Sequence, residues 1–394
     1  MSSEFHRFIA LHAFLSGLFP FFIPVFLWRR GHDLGELSAF IAATGAGFLL
    51  ALYLWDRLRR RLPFGRLIAM SFALEGLLLL GMTSPSHPLF LLWLGLLNGF
   101  YNCFFWITQR VLFLDTLQAR ETGRRVGNFQ ILAMVALKAG MLAGGAILDG
   151  AGFVWILSAS LLLDLVAALH FERRSPTPPA AFTEAPPLSL ARIFKFDDAH
   201  GSRFVFLLDG PFLFLESYFW TLSLFLLVKE SFWKLGLLVI ALGLLFSLLF
   251  WWLKNRIDHL PQGRIYRLAV AGYLLAWAAR AGLDAELGDR LLFSLLIFIT
   301  FATAFFRLAF NRRFFELARA GDAHDYLLTK SYLSQASLAL GFLAAAGLLQ
   351  GLPTDTALTI TYLAAALFTP LYLGYAPRSL HAGPATSNQP LQDP

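Results

Sequence analysis

The chain is 394 residues long, 57% hydrophobic and only 14% charged, with 41 Phe and a net charge of +7. Soluble chains carry roughly a quarter charged residues, so the composition excludes a water-soluble protein and points to a chain dissolved in lipid. A single cysteine, Cys103, excludes an intrachain disulfide or cysteine cluster, and basic residues spread over short loops give no nucleic-acid face.

Apolar runs long enough to cross a ~30 Å hydrocarbon core as helices recur from end to end. In chain order they predict helices over 6–28, 35–55, 66–83, 88–114, 126–148, 151–170, 202–228, 232–253, 264–283, 289–316, 326–350 and 354–376. The first run contains Pro20 and Pro24 and ends at no small-residue cleavage site, so it is expected to be a membrane helix rather than a signal peptide. Between the second and third helices stands LPFGR (62–66), and between the eighth and ninth LPQGR (260–264). FFWITQRVLFLD (104–115) in helix four is echoed by FFRLAFNRRFFEL (305–317) in helix ten, and RFIALH (7–12) by RFVFLL (203–208) at the starts of helices one and seven. Echoes at matching places predict a parallel duplication of a six-helix unit.

The longest polar break, 171–200, holds ERRSPTPPAAFTEAPP and then LARIFKF, a segment suited to the membrane face. It divides the chain into an amino-terminal bundle (1–170), a cytoplasmic linker (171–200), a carboxy-terminal bundle (201–376) and a disordered cytoplasmic tail (377–394). With both termini inside, twenty Arg and Lys fall at inner loops and five at outer ones, a bias that fixes this orientation. The fold class expected is therefore all-α and multi-pass in the cell (inner) membrane, with 12 transmembrane helices in two parallel bundles and a monomeric chain.

This layout resembles the major facilitator superfamily over nearly the whole chain, and two local signatures carry the resemblance further. In the loop after helix two, Asp56, Arg57, Arg60 and Arg61 match the family's charged pattern, while Leu52 and Arg59 stand where glycines are usual. The resemblance implies a gate in which the Asp56 carboxylate pairs with cationic groups and holds one conformation. On helix five, Gly127, Ala136, Gly140, Met141, Gly144 and Gly145 resemble the glycine motif of the superfamily's drug and proton antiporters, with Ala136 and Met141 departing from it. Small residues three or four apart let helix backbones approach closely, which is also the generic packing reading. The antiporter Arg followed by Gln-Gly on helix four is missing, since Gly95, Asn98 and Gly99 stand there, and Arg110 lies too far along to replace it.

Ionised side chains in hydrocarbon cost about 2.5–3.5 kcal/mol on insertion scales, so they tend to face a bundle interior. Glu75, Lys138, Asp209, Glu216, Arg110 and Arg307 are such groups. Asp209 and Glu216, seven apart on helix seven, are the leading candidates for a protonation switch, against the simpler reading that each pairs with a fixed base such as Lys138 or Arg307. Glu75 is expected at a lipid edge or in a pair within its own bundle. For a substrate cavity, helices one, four, seven and ten offer His12, Asn98, Tyr101, Asn102, Trp106, Tyr218 and Trp220, amides and rings suited to flat solutes with a few polar atoms.

The function expected is secondary transport by alternating access, exporting a small amphipathic solute in exchange for protons. A proton-coupled nutrient importer and a non-transporting scaffold or lipid flippase of the same fold are the alternatives. No enzyme, cofactor or metal is expected: the one adjacent acidic pair, Asp197 and Asp198, stands in the linker, and neither a P-loop nor a zinc spacing is present.

Overall fold

The computed structural model describes residues 3–83, 88–116, 122–177, 184–198, 200–257, 262–284 and 287–376, whose regular structure is helical. Leu260 and Pro261 of the second LPxGR loop, Arg120 and the tail 377–394 lie outside the described residues, as do the side chains of 114–131.

The first membrane segment is made of three pieces: α1 (Ser3–Leu18), a 3-10 turn (Pro20–Phe22) and α2 (Ile23–Arg29). Pro20 and Pro24 each sit in the first turn of a piece, where a missing amide hydrogen costs nothing, whereas further inside a helix each would remove a backbone hydrogen bond. Asp33 then starts α3 (Leu34–Leu58) with a reciprocal cap, accepting the Glu36 amide at 2.8 Å while the Glu36 carboxylate accepts the Asp33 amide at 3.2 Å. Helices α4 (Phe64–Gly81), α5 (Pro88–Thr116), α6 (Thr122–Gly150) and α7 (Phe153–Arg173) follow. The linker's LARIFKF contains the one-and-a-half-turn α8 (Leu190–Lys195), which buries Ile193.

Beyond it, α9 (Ser202–Phe214) carries Pro211 in its interior and runs into a π-helical turn (Leu215–Phe219) before α10 (Trp220–Leu227). The chain continues through α11 (Phe232–Ile257), α12 (Gln262–Ala281), α13 (Asp289–Ala320), α14 (Ala323–Leu349) and α15 (Thr354–Phe368), ending in a 3-10 turn (Thr369–Tyr375). Among the described residues, ten helical segments are long and apolar enough to cross a membrane. Leu162, Leu244, Leu340 and Leu367 point outward from them, an exposure that suits acyl chains and not water.

Helix pairing follows a pattern. α1 packs along α6, α3 along α5 and α4 along α7; later in the chain α9 packs along α14, α11 against α13 and α12 along α15. Two further contacts, α3 with α14 and α6 with α11, join the two sets. Glycines permit these approaches. A Cβ on Gly45 of α3 would stand 2.8 Å from the Ala339 amide nitrogen of α14, and those on Gly140 and Gly144 would strike the carbonyls of Phe14 and Leu18. Gly145 faces the other way, against Phe232 of α11. Three of the helix-five glycines are thus accounted for as packing surfaces of α6, while the surroundings of Gly127 lie outside the described residues.

Candidate functional site

The π turn after Pro211 carries Glu216 and Tyr218 on a backbone that has gained one residue relative to an α-helix, a device that re-aims side chains. Asp209, on the turn before Pro211, and Glu216 both point at Arg307 of α13. Arg307 donates through Nη1 to Asp209 Oδ1 at 2.5 Å and through Nε to Glu216 Oε2 at 2.8 Å. Lys330 of α14 closes on the other Asp209 oxygen at 2.5 Å, and the Tyr273 hydroxyl of α12 donates to Glu216. Two carboxylates and two cations from three membrane segments are therefore paired in the interior, with the Tyr273 phenol joining from a fourth. Lys330 had no place in the sequence reading, yet it is the second partner of Asp209. Lys138 is not one: its ammonium donates to the Val239 carbonyl of α11 at 2.6 Å, a bridge between α6 and α11.

Opposite this network stands one face of α5. Asn98, Asn102, Trp106 and Arg110 repeat every four residues, the spacing that stacks side chains on one side of a helix. The Asn98 amide donates to the Tyr218 hydroxyl at 3.0 Å and to Thr44 Oγ1 at 3.1 Å, and Asn102 donates to Asn98 Oδ1 at 3.0 Å. Trp106 Nε1 donates to Asn102 at 3.2 Å, and Arg110 lies over the Trp106 ring at 6.0 Å, close enough to Asp209 to feel its charge. Trp106 remains 41% exposed. Further along both helices Phe113 meets Phe315 of α13, with ring centroids 5.3 Å apart. The result is a polar, ring-bearing wall on α5 and an ionic wall on α9, α13 and α14, tied by the Asn98–Tyr218 bond.

Three residues expected on the cavity wall lie elsewhere. His12 is fully buried, stacked on Phe105 with centroids 3.3 Å apart, and the Tyr101 hydroxyl is 3.1 Å from Ser16 on α1, so both look into the α1–α4–α5 interior. Trp220 packs on the Arg280 guanidinium, 4.7 Å from its ring centroid, with Trp277 on another side of that cation at 4.2 Å. Arg280 also borders a cavity of about 480 Å³ among α10, α12 and α15, with Ser223, Asp355 and Tyr362. Glu75 is not at a lipid edge: it is fully buried, with one carboxylate oxygen 3.8 Å from His12 Nε2.

The loop signature also changes hands. Asp56, fully buried, is held by Arg59 (Nε to Oδ1, 2.8 Å), by the Leu188 amide of the linker (2.7 Å) and by His324 of α14 (3.5 Å). Arg59 in turn donates to the Ala185 carbonyl at 3.0 Å. The cation on Asp56 is thus the residue that displaced an expected glycine, whereas Arg57 lies over the Tyr53 ring and Arg60 and Arg61 are exposed. In the linker acidic pair, Asp198 accepts the Ser202 amide at 2.9 Å and the His200 amide at 3.2 Å at the start of α9, a helix-capping role.

No family model matches the sequence, and no curated protein matches it. The fold is that of the major facilitator transporters. In particular, the chain is similar to the crystal structure of the nucleoside transporter NupG, with a TM-score of 0.67 over 95% of this chain and 97% of that one, at 14% identity. A single-residue mutant of NupG superimposes with a TM-score of 0.70, again at 14% identity, over 95% of this chain and 98% of the other.

Proposed function

We propose that the chain is a secondary transporter of 12 spans in two parallel six-helix bundles, 1–170 and 201–376, joined by the linker 171–200. The repeated pairings support this reading: first with fifth, second with fourth and third with sixth helix recur in each half, and the bridging contacts α3–α14 and α6–α11 exchange second and fifth helices between halves. The charge bias of the loops supports both termini and the linker on the cytoplasmic side of an inner membrane, and one chain encloses both walls of the site, so a monomer suffices.

The observation that carries the function is the confrontation of Asn98, Asn102, Trp106 and Arg110 with Asp209, Glu216, Arg307 and Lys330 across the two halves. Amides and an exposed indole bind a flat ring with hydrogen-bonding edges, and the ion network offers Glu216 and Arg307 to hydroxyls. A nucleoside has both features, and a nucleoside transporter supplies the similar fold. Uptake coupled to protons is favoured over export, because the helix-five glycines that suggested an antiporter are explained by packing against α1 and α11.

The test is uptake of labelled uridine and adenosine into proteoliposomes. Acid-outside gradients should drive accumulation, and Asn98→Ala and Trp106→Ala should abolish saturable uptake. Absence of nucleoside counterflow in the unaltered protein would overturn the substrate class, and absence of counterflow for every small polar solute would overturn transport itself.

A further inference from the structure

Asp209 and Glu216 are poor carriers of a coupling proton, because each already faces fixed positive charge. Protonating Asp209 would leave Lys330 buried without a carboxylate, and protonating Glu216 would leave Arg307 and Lys330 to share Asp209 alone. The amino-terminal bundle holds the opposite arrangement. Glu75 of α4 is fully buried and Asp164 of α7 nearly so, and none of their four carboxyl oxygens has a hydrogen-bond partner. The two acids are neighbours: a Cβ on Gly76, the residue after Glu75, would stand 3.8 Å from Asp164 Oδ2, and Glu75 feels the Asp164 charge.

Three helices pack around this pair. From α1 comes His12, whose Nε2 is buried, unpartnered and 3.8 Å from Glu75; from α5 comes the Tyr101 phenol; from α7, one turn before Asp164, comes Ser160, whose hydroxyl is also without a partner. Among the described residues no Lys or Arg pairs with either acid. Two adjacent carboxylates cannot stay ionised in such surroundings without a cation, so the sealed site holds neutral acids. Phe8, Phe72 and Phe105 ring His12 and keep water away.

A hydrogen-bonded chain leads away from the acids: His12 Nδ1 lies 3.2 Å from Ser16 Oγ, which lies 3.1 Å from the Tyr101 hydroxyl of α5. The imidazole stands between Glu75 and this chain, and it can take a proton at Nε2 while releasing one at Nδ1. The Nε2–Glu75 gap exceeds a hydrogen bond by about 1 Å, so transfer waits on a small displacement of α1 or α4.

We propose that Glu75, Asp164 and His12 form the proton-binding centre of the protein, set inside the amino-terminal bundle, with Ser16 and Tyr101 extending a hydrogen-bonded chain from it to α5. This rests on the transporter reading for its role in coupling, but the centre itself is testable without any substrate. The experiment is infrared difference spectroscopy of the reconstituted protein on a pH step, followed in the carbonyl stretch of protonated carboxylic acids. The expected result is a buried-acid band lost in Glu75→Gln, altered in Asp164→Asn and unchanged in Glu216→Gln.

A band that survives both Glu75→Gln and Asp164→Asn, or that vanishes with Glu216→Gln, overturns the proposal. So does a band displaced by sodium at constant pH, which would make the site one for a metal cation. Should Glu75→Gln fail to fold, Asp164→Asn and His12→Gln are read instead, the latter expected to slow the appearance of the band without removing it. If the band behaves as expected while no solute moves, the centre stands and the transport reading fails. If solute moves, Glu75→Gln should retain exchange at equal pH and lose acid-driven accumulation.

Discussion

Burying Asp209 and Glu216 against Arg307 and Lys330 makes each charge depend on the others. Deleting one member of a buried pair costs about 3–5 kcal/mol, because the survivor keeps its desolvation penalty and loses its compensation. Lys330→Met is therefore expected to lower the thermal unfolding temperature of the detergent-purified protein sharply. The double variant Lys330→Met with Asp209→Asn should recover most of the loss, since it removes both charges together. If the double variant is no more stable than the single one, the two residues are not coupled as described. The cost of charge in hydrocarbon made Asp209, Glu216, Arg307 and Lys138 legible as interior groups, whereas Glu75 was expected at a lipid edge or in a pair within its own bundle. It said nothing of partners, because pairing depends on where four separate helices meet. Lys330 escaped notice for a related reason: it lies a little over one turn inside the expected helix 326–350, where a lysine can extend to the membrane surface. His12 and Tyr101 were legible as polar groups on the helices expected to line the cavity, but a helix wheel alone does not say which side of α1 or α5 meets the other half.

At the scale of the helix, glycine positions decide how closely backbones can meet. A side chain on Gly144 would drive into the Leu18 carbonyl of α1, whereas one on Gly150, at the end of the same helix, would meet nothing within 4 Å. Gly144→Val is accordingly expected to destabilise by about 1–3 kcal/mol, the usual cost of overpacking, and Gly150→Val by much less, both read from the unfolding midpoint. Equal effects would mean that helix propensity, and not the α1–α6 contact, sets the outcome. Apolar runs and the Gly, Pro and charge punctuation between them located nearly every helix to within a few residues, because hydrocarbon thickness imposes a minimum length on each span. It did not locate the π turn at 215–219: a run of apolar residues is the same whether its amides bond four or five residues back, and only the packing around Pro211 chooses. For the same reason the first segment was expected as one helix over 6–28, although its prolines divide it into three pieces.

For the whole molecule, Asp56 gathers three distant parts of the chain. One carboxylate holds the end of α3, the linker at Leu188 and the start of α14 at His324, while Arg59 draws the linker in through Ala185. The linker is a tether in sequence but a strap in the fold, fastened beside the α3–α14 contact that joins the halves. A motion that parts α3 from α14 at this end must break the Asp56–His324 contact, and the strap must then follow one side or come free. Asp56→Asn keeps the size of the side chain and discards its charge, so it should loosen the strap without collapsing α3. Limited proteolysis gives the measurement: cleavage within 174–198 should quicken in Asp56→Asn and in Arg59→Gln, and stay at the wild-type rate in Arg57→Ala and Arg60→Ala, since Arg57 lies over the Tyr53 ring and Arg60 is exposed. Because release of the strap also removes a contact between halves, Asp56→Asn should shift the protein toward the conformer open at the α3–α14 end, seen as faster alkylation of a cysteine placed at Trp106. Faster cleavage without faster alkylation would show that the strap guards the linker alone. Faster alkylation in Arg57→Ala as well would return the gate to the residue that the loop signature first indicated.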